Sequence, residues 1–375
     1  MKVLQLVSRV DEEADGVASA VLDLTNNMQN EGCDARLACA IPKNNRMLPS
    51  GALTANSTNL FRWDLNWGLI SKLKTFSNEF DIIHNHGLWN PVNIAAGYLI
   101  PRHGCKLVCS PHGTLTEWAM NHSARKKKIL WPLQRQVLEN ASLIHVTSQS
   151  EYLDVRRLGF KNPIALINLG ISLPDFAEDK SCSNSKTLLF LSRIHEKKGV
   201  DNLLLSWKEL QGEFPCWNLK IVGKGDENYV DKVKCLAKKL DLERVQFCGP
   251  VYGTDKINLY LSSDLFILPT FSENFGIVVA EALSCSVPVV VGKGAPWEDV
   301  IKNNCGWWVD NSVEELVRTL QKAMRLDNTV LSEMGISGRE WMQRDFCWRG
   351  VVGKMHASYE WLFSKTNKPD WIILD

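Results

Sequence analysis

The sequence predicts an α/β protein with two doubly wound parallel sheets, one in each half of the chain, facing across a cleft. Three observations carry this. Short runs rich in Val, Ile and Leu alternate with amphipathic stretches of helical period, the pattern of parallel strands covered on both faces. The 375 residues exceed one ordinary domain and suit two or three. A polar, Ser-rich stretch without periodicity, LPDFAEDKSCSNSK at 173–186, interrupts the alternation near its middle and reads as a linker.

In chain order, KVLQLV (2–7) opens the first sheet, and GVASAVLDLTNNMQNEG (16–32) follows as an amphipathic helix. DIIH (81–84), KLVCS (106–110) and SLIHVTS (142–148) are further buried strands of this half. The second half contributes TLLFLS (187–192), LKIVG (219–223), VQFCG (245–249), LFILP (265–269) and PVVVG (288–292). Between them lies the amphipathic stretch YVDKVKCLAKKLD (229–241), and FCWRGVVGKMHASYEWLF (346–363) reads as an aromatic-rich final helix. The expected division is 1–175, 176–345 and a terminal helix and tail, 346–375.

Composition excludes several classes. Hydrophobic content of 45% with 23% charge is that of a soluble globular protein. A net charge of +1 is too small for a nucleic-acid binder, so no nucleic-acid partner is expected. The charge is uneven: residues 41–170 carry 15 Lys+Arg against 7 Asp+Glu, and residues 171–375 carry 25 against 28. The first-half excess suits an anionic partner surface and equally an ordinary solvated face. Eleven cysteines without a CxxC pair argue against a disulfide framework or zinc ribbon and for a reducing compartment. The apolar run in MKVLQLVSRV is too short for a signal peptide, and no uncharged run is long enough to span a bilayer. The expected location is cytoplasmic, with peripheral association at the inner face of the plasma membrane as an option.

In open α/β sheets, ligands sit beyond the carboxyl ends of the strands. After TLLFLS, Arg193 and Lys198 lie five residues apart just before a helix, a pairing suited to a diphosphate or to plain surface charge. After LKIVG, Gly223 and Gly225 allow close backbone approach, yet GxGxxN lacks the third small residue of a dinucleotide fingerprint. After LFILP comes SENFGIVVAEAL (272–283), with Glu273 and Glu281 among apolar residues, where an unpaired carboxylate costs several kcal/mol. Ser272 is expected to cap a helix starting near 274–276. Eight helical steps then put Glu281 roughly 12 Å beyond Glu273, about the reach from a sugar across a diphosphate to a ribose. On that reading Glu273 holds a sugar and Glu281 a ribose. The amides of Gly276, Ile277 and Val278 face phosphate. A capped core helix with two structural acids competes, and explains Glu273 better than Glu281.

In the first half, Gly16 opens a helix whose amides can also meet phosphate. His84 and His86 alternate on one face of an extended segment. They form a two-histidine metal pair without an evident third ligand, a polar acceptor pocket, or structural histidines. His112, followed by Gly113, stands just beyond a strand. No two aspartates lie two apart, so no DxD motif is present and neither metal nor other cofactor is expected.

At these residues the chain resembles the family 4 glycosyltransferases, which are retaining enzymes of the GT-B fold with two Rossmann-like domains. The resemblance rests on SRIHEKKG, IVGKGDE, LPTFSENFGIVVAEAL and KGAPWEDVI in that order, with DIIHNHG and SPHGTL in the first half. SPHGTLTEWA together with GAPWED and CGWWV resembles the subset that builds bacterial O-antigen, capsule or exopolysaccharide. The resemblance implies an acceptor-binding first domain and a donor-binding second domain. It implies that Arg193 and Lys198 neutralise the departing nucleoside diphosphate and that Glu281 binds the ribose. Glu273, Asn274, Phe275 and Gly276 would contact the transferred sugar. Val251 would lie near the base through its backbone, and His112 under the anomeric region. It further implies a UDP- or GDP-linked hexose donor, a glycan acceptor for which a polyprenyl diphosphate carrier is one option, and a final helix crossing back to the first domain. Two departures are Asp15-Gly16 where paired glycines are usual, and NLGIS in place of Pro-Asn-Gly before the linker.

Two other functions compete with the transferase: a nucleotide-sugar-binding protein without turnover, and an oxidoreductase on similar sheets, which the missing dinucleotide fingerprint disfavours. The stretch SARKKKILWPLQRQVL (123–138), with FRWDLNWGLISKLKTF (61–76), reads either as a surface for anionic lipid or as solvated charged helices.

Overall fold

The structure is a computed structural model, and it describes every residue except 12–15, 43–45, 57, 61, 62, 122, 123, 176–184 and 366. The Ser-rich centre of the expected linker and the acidic loop containing Asp15 lie outside the described residues. The chain divides into two compact units, Met1–Gly170 with Trp348–Asp375, and Ile171–Cys347.

The first unit begins with β1 (Lys2–Leu6), α1 (Gly16–Asn30), β2 (Asp34–Ala40), β3 (Leu53–Ala55) and the hairpin β4 (Thr58–Leu60) and β5 (Trp63–Leu65). It continues through α2 (Trp67–Glu79), β6 (Ile82–His86), α3 (Pro91–Leu99), β7 (Lys106–Ser110), α4 (Glu117–Asn121), α5 (Ala124–Glu139), β8 (Leu143–Val146), α6 (Gln149–Arg157) and β9 (Ile164–Leu166). The second unit holds β10 (Lys186–Leu191), α7 (Val200–Leu210), β11 (Trp217–Val222), α8 (Glu227–Lys239), β12 (Val245–Cys248), α9 (Gly253–Leu261) and β13 (Leu265–Leu268). After these come α10 (Ile277–Ser284), β14 (Val289–Gly292), α11 (Asp299–Lys302), β15 (Gly306–Val309), α12 (Val313–Met324) and α13 (Asn328–Asp345). The chain then returns to the first unit as α14 (Trp348–Ser364) and β16 (Ile372–Ile373).

Both sheets are doubly wound. The first runs β16-β9-β8-β7-β6-β1-β2-β3, parallel except where β16 meets β9. The second runs β12-β11-β10-β13-β14-β15, parallel between each pair of neighbours. In each, the strand order reverses beside the first strand, between β1 and β6 and between β10 and β13. Carboxyl ends at such reversals open a crevice for a ligand.

Strand alternation sorts the first core into two layers. Leu4, Leu6, Ile83, Leu107, Cys109 and Ile144 pack with residues of α2, α3 and α5. Val3, Ile82, Val108 and Leu143 pack on the other face with Val351, Val352, Met355 and Tyr359 of α14. The final helix starts two residues later than the sequence suggests, because Phe346 ends α13 as its C-cap. Gly170 lies so near Trp348 that a Cβ there would sit 2.3 Å from the indole.

Candidate active site

The loops after β10 and β13 form the crevice of the second sheet. They are stitched together through the backbone, the Phe271 amide donating to the Lys197 carbonyl at 2.7 Å, and the Glu273 amide ties the second loop to Gly294, after β14, at 2.8 Å. Thr270 Oγ1 donates to the Lys197 carbonyl at 3.0 Å. Gly223, after β11, completes the stitching, since any side chain there would stand 1.9 Å from the Ser192 carbonyl oxygen. The close approach expected of this glycine is thus to a neighbouring loop of the protein.

Two sequence-predicted residues meet directly. Lys198 Nζ is ion-paired with the Glu273 carboxylate; the Lys198 side chain is buried and that of Glu273 is largely so, 11% exposed. Burial pushes the Lys198 ammonium well below its ordinary range, and the charges of Lys197 and Arg193 push the same way. Contact with Glu273 opposes that. Burial, then Arg193, brings Lys197 down to about 8. Arg193 is exposed, with no hydrogen-bonded or ion-pair partner among the described residues.

The expected helix start is corrected. Ser272 does not cap α10; residues 270–275 are the stitched loop, and the helix begins at Ile277 behind Gly276, whose φ of 79° is left-handed. No side chain caps α10, so the first-turn amides that a helix leaves without internal partners are open to an anion. The eight-step helical ruler between Glu273 and Glu281 therefore fails: one helical turn separates Ile277 from Glu281, and Glu273 lies outside the helix. Phe275 is buried against Trp297, ring centroids 5.2 Å apart, and its carbonyl accepts from Trp297 Nε1. Its ring and carbonyl are therefore occupied, which leaves its backbone amide for a ligand. Asn274, Ile277 and Val278 are half-buried around this turn.

Glu281 has partners that the sequence reading missed. Lys256 Nζ contacts it at 2.6 Å and the Tyr260 hydroxyl donates to it at 2.9 Å. Burial, then the Glu281 charge, raises the Tyr260 phenol well above its usual range. The signal was available, because Lys256 and Tyr260 are four apart on α9 and so share a face. Val251 is half-buried in the loop between β12 and α9.

In the first unit, Gly16 is the first residue of α1 and is exposed. His84 and His86 do share a face, their rings stacked at 4.0 Å. His86 is buried and both its nitrogens are taken, Nε2 by Gln5 Oε1 at 2.6 Å and Nδ1 by His112 Nε2 at 2.9 Å. It has no atom left for an acceptor or a metal. His112 follows β7 in a left-handed conformation, φ 52°. The next amide, of Gly113, donates to the buried Glu151 carboxylate at 2.7 Å.

Comparison with known proteins places this arrangement. The family model "Glycosyltransferase Family 4" matches residues 14–174, and "Glycosyl transferases group 1" matches residues 174–341. The chain belongs to the family 4 glycosyltransferases. Among relatives of this glycosyltransferase, an uncharacterized one from Haemophilus influenzae is 32% identical over 183 residues, 48% of this chain and 50% of that one. The GDP-mannose-dependent alpha-(1-6)-phosphatidylinositol monomannoside mannosyltransferase of Mycolicibacterium smegmatis is 28% identical over 68% of this chain and 70% of its own. A Klebsiella pneumoniae protein from a cps region is 26% identical over 77% of this chain and 80% of its own. Among solved structures, sucrose-phosphate synthase of Thermosynechococcus elongatus aligns with a TM-score of 0.77 at 19% identity, covering 98% of this chain and 100% of that one. The Anabaena protein HepE, in complex with UDP and glucose, aligns with a TM-score of 0.76 at 17% identity, covering 96% and 99%. The fold is GT-B, and the enzyme is a hexosyltransferase acting on a nucleotide-sugar donor. No described helix is long and apolar enough to cross a membrane.

Proposed function

We propose that this glycosyltransferase moves a hexose, with retention of configuration, from a UDP- or GDP-linked donor to a hydroxyl of a growing lipid-linked glycan of surface polysaccharide. One arrangement carries the reading. An exposed Arg193, the buried Lys198–Glu273 pair and the uncapped start of α10 converge where the second sheet reverses its strand order. Charge builds on the diphosphate as the glycosidic bond breaks. Fixed cations and helix amides stabilise it without reorganising. Glu273, anchored by Lys198, presents its remaining oxygen to the sugar; both Glu281 oxygens already accept, from Lys256 and Tyr260, and a second lone pair of that carboxylate takes the ribose. The donor's phosphate takes the acceptor proton as the new bond forms on the face that the diphosphate leaves. The names of the Mycolicibacterium and Klebsiella relatives support the donor class and the polysaccharide setting.

Arg193, Lys198 and α10 supply the positive charge that a metal supplies elsewhere, so transfer is expected to persist in EDTA. The test is a transfer assay against a panel of nucleotide sugars, with and without EDTA, the product anomer being read by NMR. A product of inverted configuration would refute retention. Complete loss in EDTA that Mg²⁺ or Mn²⁺ restores would refute the metal-free reading.

The acceptor side is proposed to rest on anionic membrane through α5. Arg125, Lys126 and Lys128 are exposed there beside Ile129 (78% exposed) and Leu133 (46%), whereas Lys127 turns back over the Trp89 ring at 5.4 Å. Basic and apolar groups on one exposed face suit an anionic interface. Flotation with phosphatidylglycerol-containing vesicles is expected to carry the protein at low salt and release it at high salt. Absence of salt-sensitive flotation would remove this part.

A further inference from the structure

One face of the first sheet carries a buried polar layer at the carboxyl ends of four adjacent strands: Gln5 on β1, His84 and His86 on β6, Ser110 on β7 and His145 on β8, each 2% exposed or less. Tyr359 of α14, fully buried, closes the layer from above. A buried polar layer of this kind is stable only if every donor finds an acceptor, so its hydrogen bonds have a direction.

That direction follows from one carbonyl. His145 Nε2 lies 2.9 Å from the Ile167 carbonyl, which can only accept, so the proton sits on Nε2. His145 Nδ1 then accepts, and Ser110 Oγ, 2.7 Å away, donates to it. Ser110 Oγ in turn accepts from His84 Nε2 at 2.6 Å. His84 Nδ1 is left to accept from the Tyr359 hydroxyl at 2.7 Å. The phenolic oxygen accepts from Gln5 Nε2 at 3.4 Å, beside the weaker acceptor Met28 Sδ at 3.3 Å, which turns Gln5 Oε1 towards His86 Nε2 at 2.6 Å. His86 must donate there, so its Nδ1 accepts from His112 Nε2 at 2.9 Å. Each step requires a neutral imidazole, and burial holds all four histidines below their ordinary range. The end of the chain is His112 Nδ1, without a proton and without a hydrogen-bond partner among the described residues. The backbone at this point is held as well, by the Glu151 carboxylate on the Gly113 amide.

We propose that Tyr359, Gln5 and His86 are positioning residues that hold His112 with its proton on Nε2, so that Nδ1 stands as a hydrogen-bond acceptor for a substrate hydroxyl. The proposal rests on the reading of His112 as a substrate-contacting residue. The final helix thereby acts on the reaction through a single phenol. Without that phenol only the weak thioether acceptor of Met28 orients the Gln5 amide, which can then turn over, and a turned amide would ask His86 and His112 for the opposite tautomers.

The full chain, labelled with ¹⁵N at histidine, tests this by long-range ¹H–¹⁵N spectra recorded without substrate. The parent is expected to show His112 protonated on Nε2 and bare on Nδ1. Tyr359→Phe is expected to give mixed tautomers at His86 and His112, with kcat/KM down roughly tenfold, the scale of one neutral hydrogen bond. Gln5→Leu should do the same by removing the acceptor of His86. A parent His112 protonated on Nδ1 overturns the proposal outright. So does a Tyr359→Phe variant in which only the tautomers or only the turnover changes. Because the spectra need no donor, they are decided independently of the transferase reading.

Discussion

Arg193→Ala is expected to fold as the parent does and to lose about 10²–10³-fold in kcat/KM, the scale of removing one fixed donor from a developing anion. The two halves of that expectation come from one observation. Arg193 is exposed, with no partner among the described residues, so its removal leaves nothing buried and unpaired. Surface truncations of this kind stay within about 0.5 kcal/mol of the parent. Its charge nevertheless reaches the site, because it repels both Lys197 and Lys198. A diphosphate in the crevice would relieve that repulsion. Lys198 is a poorer probe: truncating it strands the buried Glu273 carboxylate, and breaking a buried pair in this way costs about 3–5 kcal/mol of stability. The measurement is steady-state transfer with the true donor alongside a thermal unfolding curve. Activity within a few-fold of the parent would sink the assignment of Arg193 to the leaving group.

The parallel strands were legible because each is buried on both faces and so reads as an unbroken apolar run, such as TLLFLS or PVVVG. Asp34–Ala40 was missed for the complementary reason. DARLACA opens on a charge and is rich in alanine, and it gains its place by pairing between β1 and β3. Gly306–Val309 is a half-buried edge strand with glycine at its first position. The site was legible as a set of residues and less so as geometry. Ser272 and Glu273 have the sequence form of a helix entrance, but long-range backbone bonds to Lys197 and Gly294 hold them in a loop instead. The opposite error concerns Glu281. Its carboxylate looked unexplained by structure, yet Lys256 and Tyr260 satisfy it from a separate helix. Neither outcome can be read from spacing within SENFGIVVAEAL, because both depend on partners far away in sequence.

The largest expected effect on stability concerns acid. Burial, followed by the neighbouring imidazole charges, holds His84 and His86 well below the usual imidazole range and brings His112 to about 3. Burial brings His145 to about 4, against the pull of the Ile167 carbonyl. All four are neutral in the folded protein at pH 7. Unfolded, each takes up a proton near pH 6.5. Between those limits the unfolded state binds more protons, so stability is fully present above pH 6.5 and is lost as pH falls toward the folded values. Each imidazole contributes a limiting slope of about 1.4 kcal/mol per pH unit, so four acting together approach roughly 5 kcal/mol per unit. Set against a typical total of about 5–15 kcal/mol, about one to three pH units would unfold the first unit. Amide hydrogen exchange in β6 and β7, measured from pH 7.5 to 5 and corrected for intrinsic exchange, should show protection falling steeply below pH 6.5. The strands β10 and β13, which carry no histidine, give the comparison within the same molecule. Protection in β6 and β7 that falls no faster than in β10 and β13 would mean that the histidine layer takes up protons while folded. The neutral, directed chain that ends on His112 could not then exist.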